Sequence, residues 1–504
     1  MGEAEQSETK IAGRGVFFLG FQGAAYSLFV LLLYVAMVRL LPQSTVGVVF
    51  ALQSVGSLAS VASSGWVLTS VTRFVADALG RSDLKGARQW YSSGLGVSIL
   101  TGAGAGLVLF GTAPEISRLL FSSASWTGVI RLYSLDYFLM QISIGSSSAL
   151  QGRSRFGSTA LVYTAYGALK LGIGVPLLFL GFGIYSIVYA WIFADLFQFV
   201  VYLYLSRDLV GSALQRNSLR GLLAFGLPLI LLSSFSVITS NVDRLAILKI
   251  GGTSPLAVYG SMLAAASAVG SVLGAVANSA LPSFSRLNAK GSLSAGAVSV
   301  AFRYYLVAAL PLVGVAAGVS EPLVRLVLGA AYLSGWPAFS IVVSAVGIVS
   351  FAGIFANAFY GQGDSKTPVR VQILSGAFFA ACVIPLIFFY GVTGAAAAYV
   401  ASNLLSVSLL ARALSKKSLF KLESRFVLGS LATYAASLGT SFGLAFLTSF
   451  SDSYILLDVV GGLFVAAALT KGLKILTADD AETVASVMPV KLRNYMRKVV
   501  MLLV

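Results

Sequence analysis

Apolar stretches long enough to cross a membrane follow one another along almost the whole chain, with short polar connections between them. Each stretch is about 20 residues long, which at a rise of 1.5 Å per residue matches a hydrocarbon core of about 30 Å. The pattern predicts an all-α, polytopic membrane protein whose functional residues face inward between helices. About fourteen transmembrane helices are predicted, at roughly 15–38, 46–70, 92–112, 127–150, 158–180, 183–205, 221–240, 256–281, 299–319, 336–360, 369–390, 392–413, 426–449 and 454–476.

Composition agrees with this pattern and excludes several chemistries. Hydrophobic residues make up 57% of the chain and charged residues 10%, against about 25% charged in soluble domains. There is no His, and the one Cys, Cys382, lies inside an apolar stretch. These counts exclude a disulfide framework, a Cys/His zinc site, a haem and a His-dependent catalytic triad. With no G-x-x-x-x-G-K-[ST] loop and no connection long enough for a catalytic domain, we expect no enzyme activity, no catalytic residue, no cofactor and no metal.

The net charge of +16 is explained by topology rather than by nucleic-acid binding. Most of the 34 Lys and Arg residues fall on every second connection or near the two termini, as expected for cytoplasmic segments. We therefore predict a multi-pass protein of the cell (plasma) membrane with both termini cytoplasmic, in contact with membrane lipids and with no nucleic-acid partner. The exceptions are Arg39, Arg118, Arg131, Arg244, Lys249 and Arg325 on the other side, and Lys170 within a span.

The C-terminal tail, 477–504, contains the segment LRNYMRKVVMLLV. Basic and apolar residues alternate there with helical spacing, which predicts an amphipathic helix on the inner membrane surface. The alternative interpretation is a frayed tail held near the membrane by charge alone.

Two stretches indicate an internal repeat with an offset of about 211 residues. SALQGRSRFGSTALVY resembles NAFYGQGDSKTPVRVQ, so that Gln151 aligns with Gln362 and Gly152 with Gly363. In both, glycine is expected to supply the positive φ that ends a helix. An offset of six helices keeps both copies in one orientation, which predicts a parallel repeat. The predicted organisation is a six-helix lobe at 1–205, a cytoplasmic linker at 206–220, a six-helix lobe at 221–414, and two additional helices at 415–476.

Four further segments occur in a characteristic order and spacing: VRLLPQSTVGVVFALQSVGSLAS, RFVADALGRSDLKGAR, ITSNVDRLAILKIGGTSPLAVYGSM and NSALPSFSRL. Together with the Gln-Gly turns, they resemble the multidrug/oligosaccharidyl-lipid/polysaccharide (MOP) exporter superfamily, and within it the polysaccharide-type, O-antigen-like flippases. The resemblance implies a transporter that moves a lipid-linked glycan across the membrane by alternating access, and it leaves open whether a coupling ion takes part. Multidrug or metabolite cation antiporters of the same superfamily are the alternative, although helix 1 lacks the acidic residues that those antiporters carry there.

Few charged residues fall inside the predicted spans, and a charge in the bilayer centre costs about 2.5–3.5 kcal/mol unless it faces a cavity or a partner. The phosphate of a lipid-linked glycan requires cations, for which Arg131, Lys170 and Arg244 are candidates. Sugars require amides and hydroxyls. The remaining candidate substrate-binding residues are Gln22, Gln53, Asn241, Asp136, Asp195 and Asp243.

A structural interpretation of the same residues stays open. Lys170 and Asp195 lie on adjacent predicted helices and could form a buried pair that only stabilises the first lobe. Arg131 and Arg244 could extend to lipid headgroups at the membrane edge. The amides could bind only neighbouring helices.

Overall fold

The structure, a computed structural model, describes residues 25–61, 65–211, 214–278, 295–420 and 424–473, together with residues 23, 284 and 288. Two sequence predictions, the sugar contact Gln22 and the amphipathic tail at 477–504, lie outside the described residues.

The described chain is helical throughout and contains no strand in these ranges. Short 3₁₀ turns at Arg207–Leu209, Ala330–Gly335 and Asp452–Tyr454 join some of the helices. The helices are α1 (Ala25–Leu40), α2 (Gln43–Ser60), α3 (Gly65–Gly80), α4 (Leu84–Gly111), α5 (Ala113–Phe121), α6 (Thr127–Gly152), α7 (Phe156–Phe179), α8 (Tyr185–Leu205), α9 (Arg216–Thr239), α10 (Val242–Gly251), α11 (Thr253–Asn278), α12 (Ala295–Gly318), α13 (Ser320–Leu328), α14 (Trp336–Gly361), α15 (Lys366–Lys416), α16 (Ser424–Leu447) and α17 (Ile455–Gly472).

The all-α membrane fold predicted from the sequence is confirmed. Every predicted span overlaps a helix, and eight helices within the described ranges are long and apolar enough to cross a membrane. The number fourteen remains a prediction. Three predicted spans differ in detail from the helices observed. The span at 46–70 is divided between α2 and α3, and the two spans at 369–413 form the 51-residue α15, interrupted at Gly391, where φ is 56°.

The chain divides into two compact units, residues 1–264 with 383–392 and residues 265–382 with 393–504. In the first, α6 packs against α3, α4 and α8, and α7 packs along α8. In the second, α12 packs against α14 and α16. The two six-helix lobes and the linker read from the sequence remain a prediction.

Close helix packing in the first unit depends on small residues. A Cβ at Gly94 of α4 would overlap the side chain of Val71 on α3, which is itself fully buried. Small residues at such positions let helix backbones approach in the membrane, where dispersion contacts provide much of the association energy. Both α3 and α4 also pack against α6, the helix that carries two of the predicted site residues.

The turn that follows α6 departs from the predicted Gln-Gly geometry. Gly152 is the last residue of α6, and Ser154 instead takes the left-handed conformation, with φ of 55°. After α14 the left-handed residue is Gly363, with φ of 78°. The structure therefore pairs Ser154 with Gly363, whereas the sequence alignment paired Gly152 with Gly363, a difference of two residues. The residue that leaves the helical conformation, rather than the glycine itself, defines each turn.

Each of these turns is held by an ion pair to a later segment. Arg153 binds both carboxylate oxygens of Asp208, and Lys417 Nζ donates to Asp364 Oδ2 at 2.7 Å. The hydrogen bond from Arg153 lowers the pKa of Asp208, and that from Lys417 lowers the pKa of Asp364 to about 2. The two ion pairs have opposite polarity. The turn after α6 supplies the cation, Arg153, whereas the turn after α14 supplies the anion, Asp364.

Candidate substrate cavity

A cavity of about 420 Å³ lies within the first unit, between α1, α2, α6, α7 and α8. Four of the predicted site residues face it: Gln53, Asp136, Lys170 and Asp195. The other lining side chains are mainly aromatic or polar. They are Tyr26, Val30, Leu33, Tyr34, Gly56, Ser57, Ser60, Tyr133, Met140, Ile144, Tyr163, Tyr166, Trp191 and Gln198.

The helical repeat explains why these residues meet. On α7, Tyr163, Tyr166 and Lys170 are separated by three and four residues and therefore share one face. The residues Trp191, Asp195 and Gln198 on α8 follow the same spacing. Packing of α7 along α8 brings the two polar and aromatic stripes against one volume.

Lys170 reaches Asp195 through a tyrosine. The buried ammonium group of Lys170 donates a hydrogen bond to the Tyr166 hydroxyl and lies 4.2 Å from the centroid of the same ring. The Tyr166 hydroxyl in turn donates to Asp195 Oδ2 at 3.3 Å. Since no direct ion pair joins Lys170 to Asp195 among the described residues, the buried pair considered from the sequence is a three-membered chain.

The Asp136 carboxyl group adds a second acidic side chain to this cluster. It is 4% exposed and interacts electrostatically with both Asp195 and Lys170. Neither Oδ1 of Asp136 nor Oδ1 of Asp195 accepts a hydrogen bond from a hydroxyl or N–H group of the described residues, and the two carboxyl groups lie within hydrogen-bonding reach of each other. A donor that enters the cavity therefore meets two neighbouring carboxyl groups.

Aromatic rings form much of the remaining wall. Tyr26 stacks on Tyr166 at 5.8 Å and lies 4.6 Å from Tyr163, while Tyr133 meets Trp191 edge-on at 5.8 Å. The amide of Gln53 donates to the Tyr34 hydroxyl at 2.7 Å. The predicted sugar contact Gln53 is therefore oriented toward the cavity by a tyrosine of the preceding helix.

The predicted residues near residue 241 lie outside this lining. Asn241 is 2% exposed, and its amide donates to Ser57 Oγ at 3.0 Å and to the Val237 carbonyl at 2.8 Å. Asp243 accepts from the Tyr259 hydroxyl at 2.6 Å and from the backbone N–H of Arg244 at 2.8 Å. Asn241 thus joins the α9–α10 junction to α2, next to the cavity residue Ser57.

The third candidate cation, Arg131, also lies outside the cavity. It is exposed, and its guanidinium group lies 5.1 Å from the centroid of the Phe110 ring. It lines a second cavity between α4 and α6. Of the three candidate cations, only Lys170 is placed in the polar cavity by the structure.

The sequence reasoning missed the tyrosines and Trp191. Aromatic residues inside spans more often serve packing, so composition alone gives no reason to choose them. The available signal was their spacing from a charged residue: Tyr166 lies one turn before Lys170, and Trp191 lies one turn before Asp195.

A family model described as polysaccharide biosynthesis protein matches residues 36–337. The chain belongs to this family. No match is found among curated proteins.

Solved structures show the same fold. The lipid II flippase MurJ in an inward closed conformation is 14% identical, with a TM-score of 0.70 over 90% of this chain and 98% of that chain. An inward-facing multidrug resistance MATE family transporter of the MOP superfamily is 17% identical, with a TM-score of 0.62 over 78% of this chain and 96% of that chain. A MOP superfamily transporter from Pyrococcus furiosus, also 17% identical, has a TM-score of 0.54 over 79% of this chain and 93% of that chain. The predicted resemblance to the MOP superfamily is confirmed at the level of the fold, and the chain is a multi-pass membrane protein with this fold.

Proposed function

We propose that this protein is a flippase that moves a lipid-linked glycan across the membrane by alternating access, without making or breaking a covalent bond. Membership in a polysaccharide biosynthesis family and the MOP fold support this proposal. The observation that carries it is the cavity of the first unit, where aromatic rings, carboxyl groups, amides and one lysine share a single volume.

This lining suits sugar rings. The apolar faces of a sugar pack on aromatic rings such as Trp191 and Tyr163, which combine a large apolar surface with a polar edge. Sugar hydroxyls donate to carboxyl oxygens, and the neighbouring carboxyl groups of Asp136 and Asp195 provide such acceptors. The volume of about 420 Å³ falls within the range of roughly 300–1,000 Å³ typical of ligand sites, enough for part of a glycan.

Within this proposal, Lys170 binds an acidic substituent of the glycan or the phosphate that joins it to the lipid. The isoprenoid tail remains in the bilayer. Tyr166 holds the ammonium group in place, so a ligand meets a preorganised charge rather than a flexible one.

The proposal is tested by measuring the flipping rate of a fluorescent lipid-linked oligosaccharide in liposomes. Trp191→Ala removes a cavity ring, and we expect it to lower the rate about tenfold, in line with about 1–1.5 kcal/mol for a lost aromatic contact. Phe193→Ala is the matched control, because Phe193 lies on the same helix but is 52% exposed and outside the cavity. Equal rates for the two variants would contradict the proposal.

A second candidate function, export of an organic cation, is favoured by one observation. The cavity contains two carboxyl groups and aromatic rings, a combination that binds cations as well as sugars. Ion-gradient-driven uptake of ethidium into liposomes that contain no lipid-linked sugar distinguishes the two functions. Uptake that is lost in both Asp136→Asn and Asp195→Asn would favour the antiporter.

A further inference from the structure

A second cavity, of about 630 Å³, lies between α4 and α6 and shares no lining residue with the first. It is close to α5, the short helix that joins α4 to α6. Its wall is apolar except for Arg131 and Ser134. The lining residues are Ala103, Gly106, Leu107, Phe110, Gly128, Arg131, Leu132, Ser134, Leu135 and Phe138. We call this volume the α4–α6 groove.

The α4–α6 groove and the substrate cavity lie on opposite faces of α6. Arg131, Leu135 and Phe138 share one face because they are spaced by four and three residues. Tyr133 and Asp136 are turned about half a revolution from that face and line the substrate cavity. One helix therefore forms a wall of both volumes.

The groove opens at the surface of the first unit, where several of its apolar side chains are exposed. Leu107 is 71% exposed and Leu135 is 47% exposed, as expected for side chains that contact acyl chains. Phe110 at the same surface is 48% exposed. An acyl chain bound in this groove would contact apolar side chains of both helices along its length.

Arg131 adds one positive charge to this apolar surface. Its guanidinium group lies over the Phe110 ring, and no acidic side chain pairs with it in the part of the chain that the structure describes. The Ser134 hydroxyl does not bind the guanidinium group, since it donates its proton to the Arg131 backbone carbonyl at 2.6 Å. An arginine at a lipid-facing position requires an anionic or polar partner, and this groove offers none from its own lining.

We infer that the α4–α6 groove binds a membrane phospholipid with a net negative headgroup. The guanidinium group of Arg131 donates to the lipid phosphate. The part of an acyl chain nearest the headgroup lies along Leu107, Phe110 and Leu135. A net negative headgroup is favoured because the charge of Arg131 is uncompensated within the groove. The bound lipid then contacts the face of α6 that is opposite to the substrate cavity.

The test uses native mass spectrometry of the purified, delipidated protein titrated with phosphatidylglycerol or with zwitterionic phosphatidylcholine. We expect Arg131→Gln to weaken phosphatidylglycerol binding about tenfold and to leave phosphatidylcholine binding unchanged. Arg131→Lys should retain part of the affinity, because lysine keeps the positive charge but cannot form the bidentate hydrogen bonds that arginine makes to a phosphate. The matched control is Arg118→Gln, since Arg118 is an exposed arginine of α5 that lies outside the groove lining.

Three outcomes would overturn the inference. The first is unchanged phosphatidylglycerol binding in Arg131→Gln. The second is an equal loss in Arg118→Gln, which would show attraction by surface charge without a site. The third is displacement of phosphatidylglycerol by undecaprenyl phosphate at much lower concentration, which would assign the groove to the lipid part of a transported substrate. Because the assay measures no transport, it stays informative even if the proposed function is wrong.

Discussion

Lys170 donates a hydrogen bond to the hydroxyl of Tyr166, one helical turn earlier on α7. That hydroxyl also donates to Asp195 on α8, so a single phenol oxygen connects the buried ammonium group to a carboxylate. A buried charge without such a partner would be costly. The arrangement keeps Lys170 at the wall of the cavity instead of in a closed ion pair.

Tyr166→Phe tests this relationship. The substitution keeps the ring but removes the oxygen that orients Lys170, so we expect the flipping rate to fall by roughly 10- to 150-fold, as for a hydrogen bond to a charged group worth about 1.5–3 kcal/mol. Tyr204→Phe, at an exposed position of the adjacent helix, should transport at the wild-type rate. A normal rate in Tyr166→Phe would show that Lys170 does not need this orientation.

Lys170 and Asp195 are connected through Tyr166, so substitutions of the two residues should have non-additive effects on the stability of the protein. Lys170→Gln and Asp195→Asn each remove one end of the chain through Tyr166, and each should lower the thermal unfolding temperature in detergent. The double variant should lose less than the combined losses of the two single variants, with a coupling of about 0.5–3 kcal/mol for groups in one network. Strict additivity would mean that the two residues act independently.

Gly56 provides a test of the cavity's shape. A Cβ at this position of α2 would overlap the Tyr133 hydroxyl, so Gly56→Ala should displace that ring, with a cost of about 1–3 kcal/mol in stability and a reduced flipping rate. Gly104→Ala is the matched control, because nothing lies within 4 Å of a Cβ built there. The control should be as stable as the wild type or slightly more stable, since alanine favours a helix more than glycine does.

The ion pair between Asp364 and Lys417 predicts a pH dependence of stability. The pKa of Asp364 is lowered from 3.8 to about 2, so the pair stabilises the folded state above about pH 4. This contribution is lost as the pH falls from about 4 toward about 2. The difference in unfolding temperature between wild type and Asp364→Asn should therefore be fully present at pH 6, shrink between about pH 4 and pH 2, and vanish only below about pH 2. A difference that does not change with pH would contradict this assignment.

The sequence allowed the membrane fold and the charged part of the cavity to be predicted, for physical reasons. Charges inside spans are rare and costly, so Asp136, Lys170 and Asp195 could be recognised individually. The sequence placed Lys170 inside a span and Arg131 near the end of one, but it could not show which of these cations faces a cavity. That depends on which face of each helix meets a neighbour, and it follows from long-range packing rather than from local spacing.

The aromatic residues of the cavity wall and the turn after α6 also could not be predicted from the sequence alone. Trp191 differs from a packing tryptophan only by its position one turn before a buried aspartate. Ser154, rather than Gly152, takes the left-handed conformation in the turn after α6, and backbone hydrogen bonds such as Arg155 N–H to the Leu150 carbonyl at 2.9 Å fix the register of that turn. Residue identity does not specify that choice.

In the proposed function, the cavity of the first unit binds the glycan of a lipid-linked substrate. The most direct test is to compare the equilibrium affinity of the purified protein for a lipid-linked oligosaccharide with its affinity for the same polyprenyl phosphate without sugars, in wild type and Trp191→Ala. We predict that Trp191→Ala weakens binding of the oligosaccharide about tenfold and leaves binding of the bare lipid phosphate unchanged. Equal weakening of both ligands, or of neither, would contradict the claim.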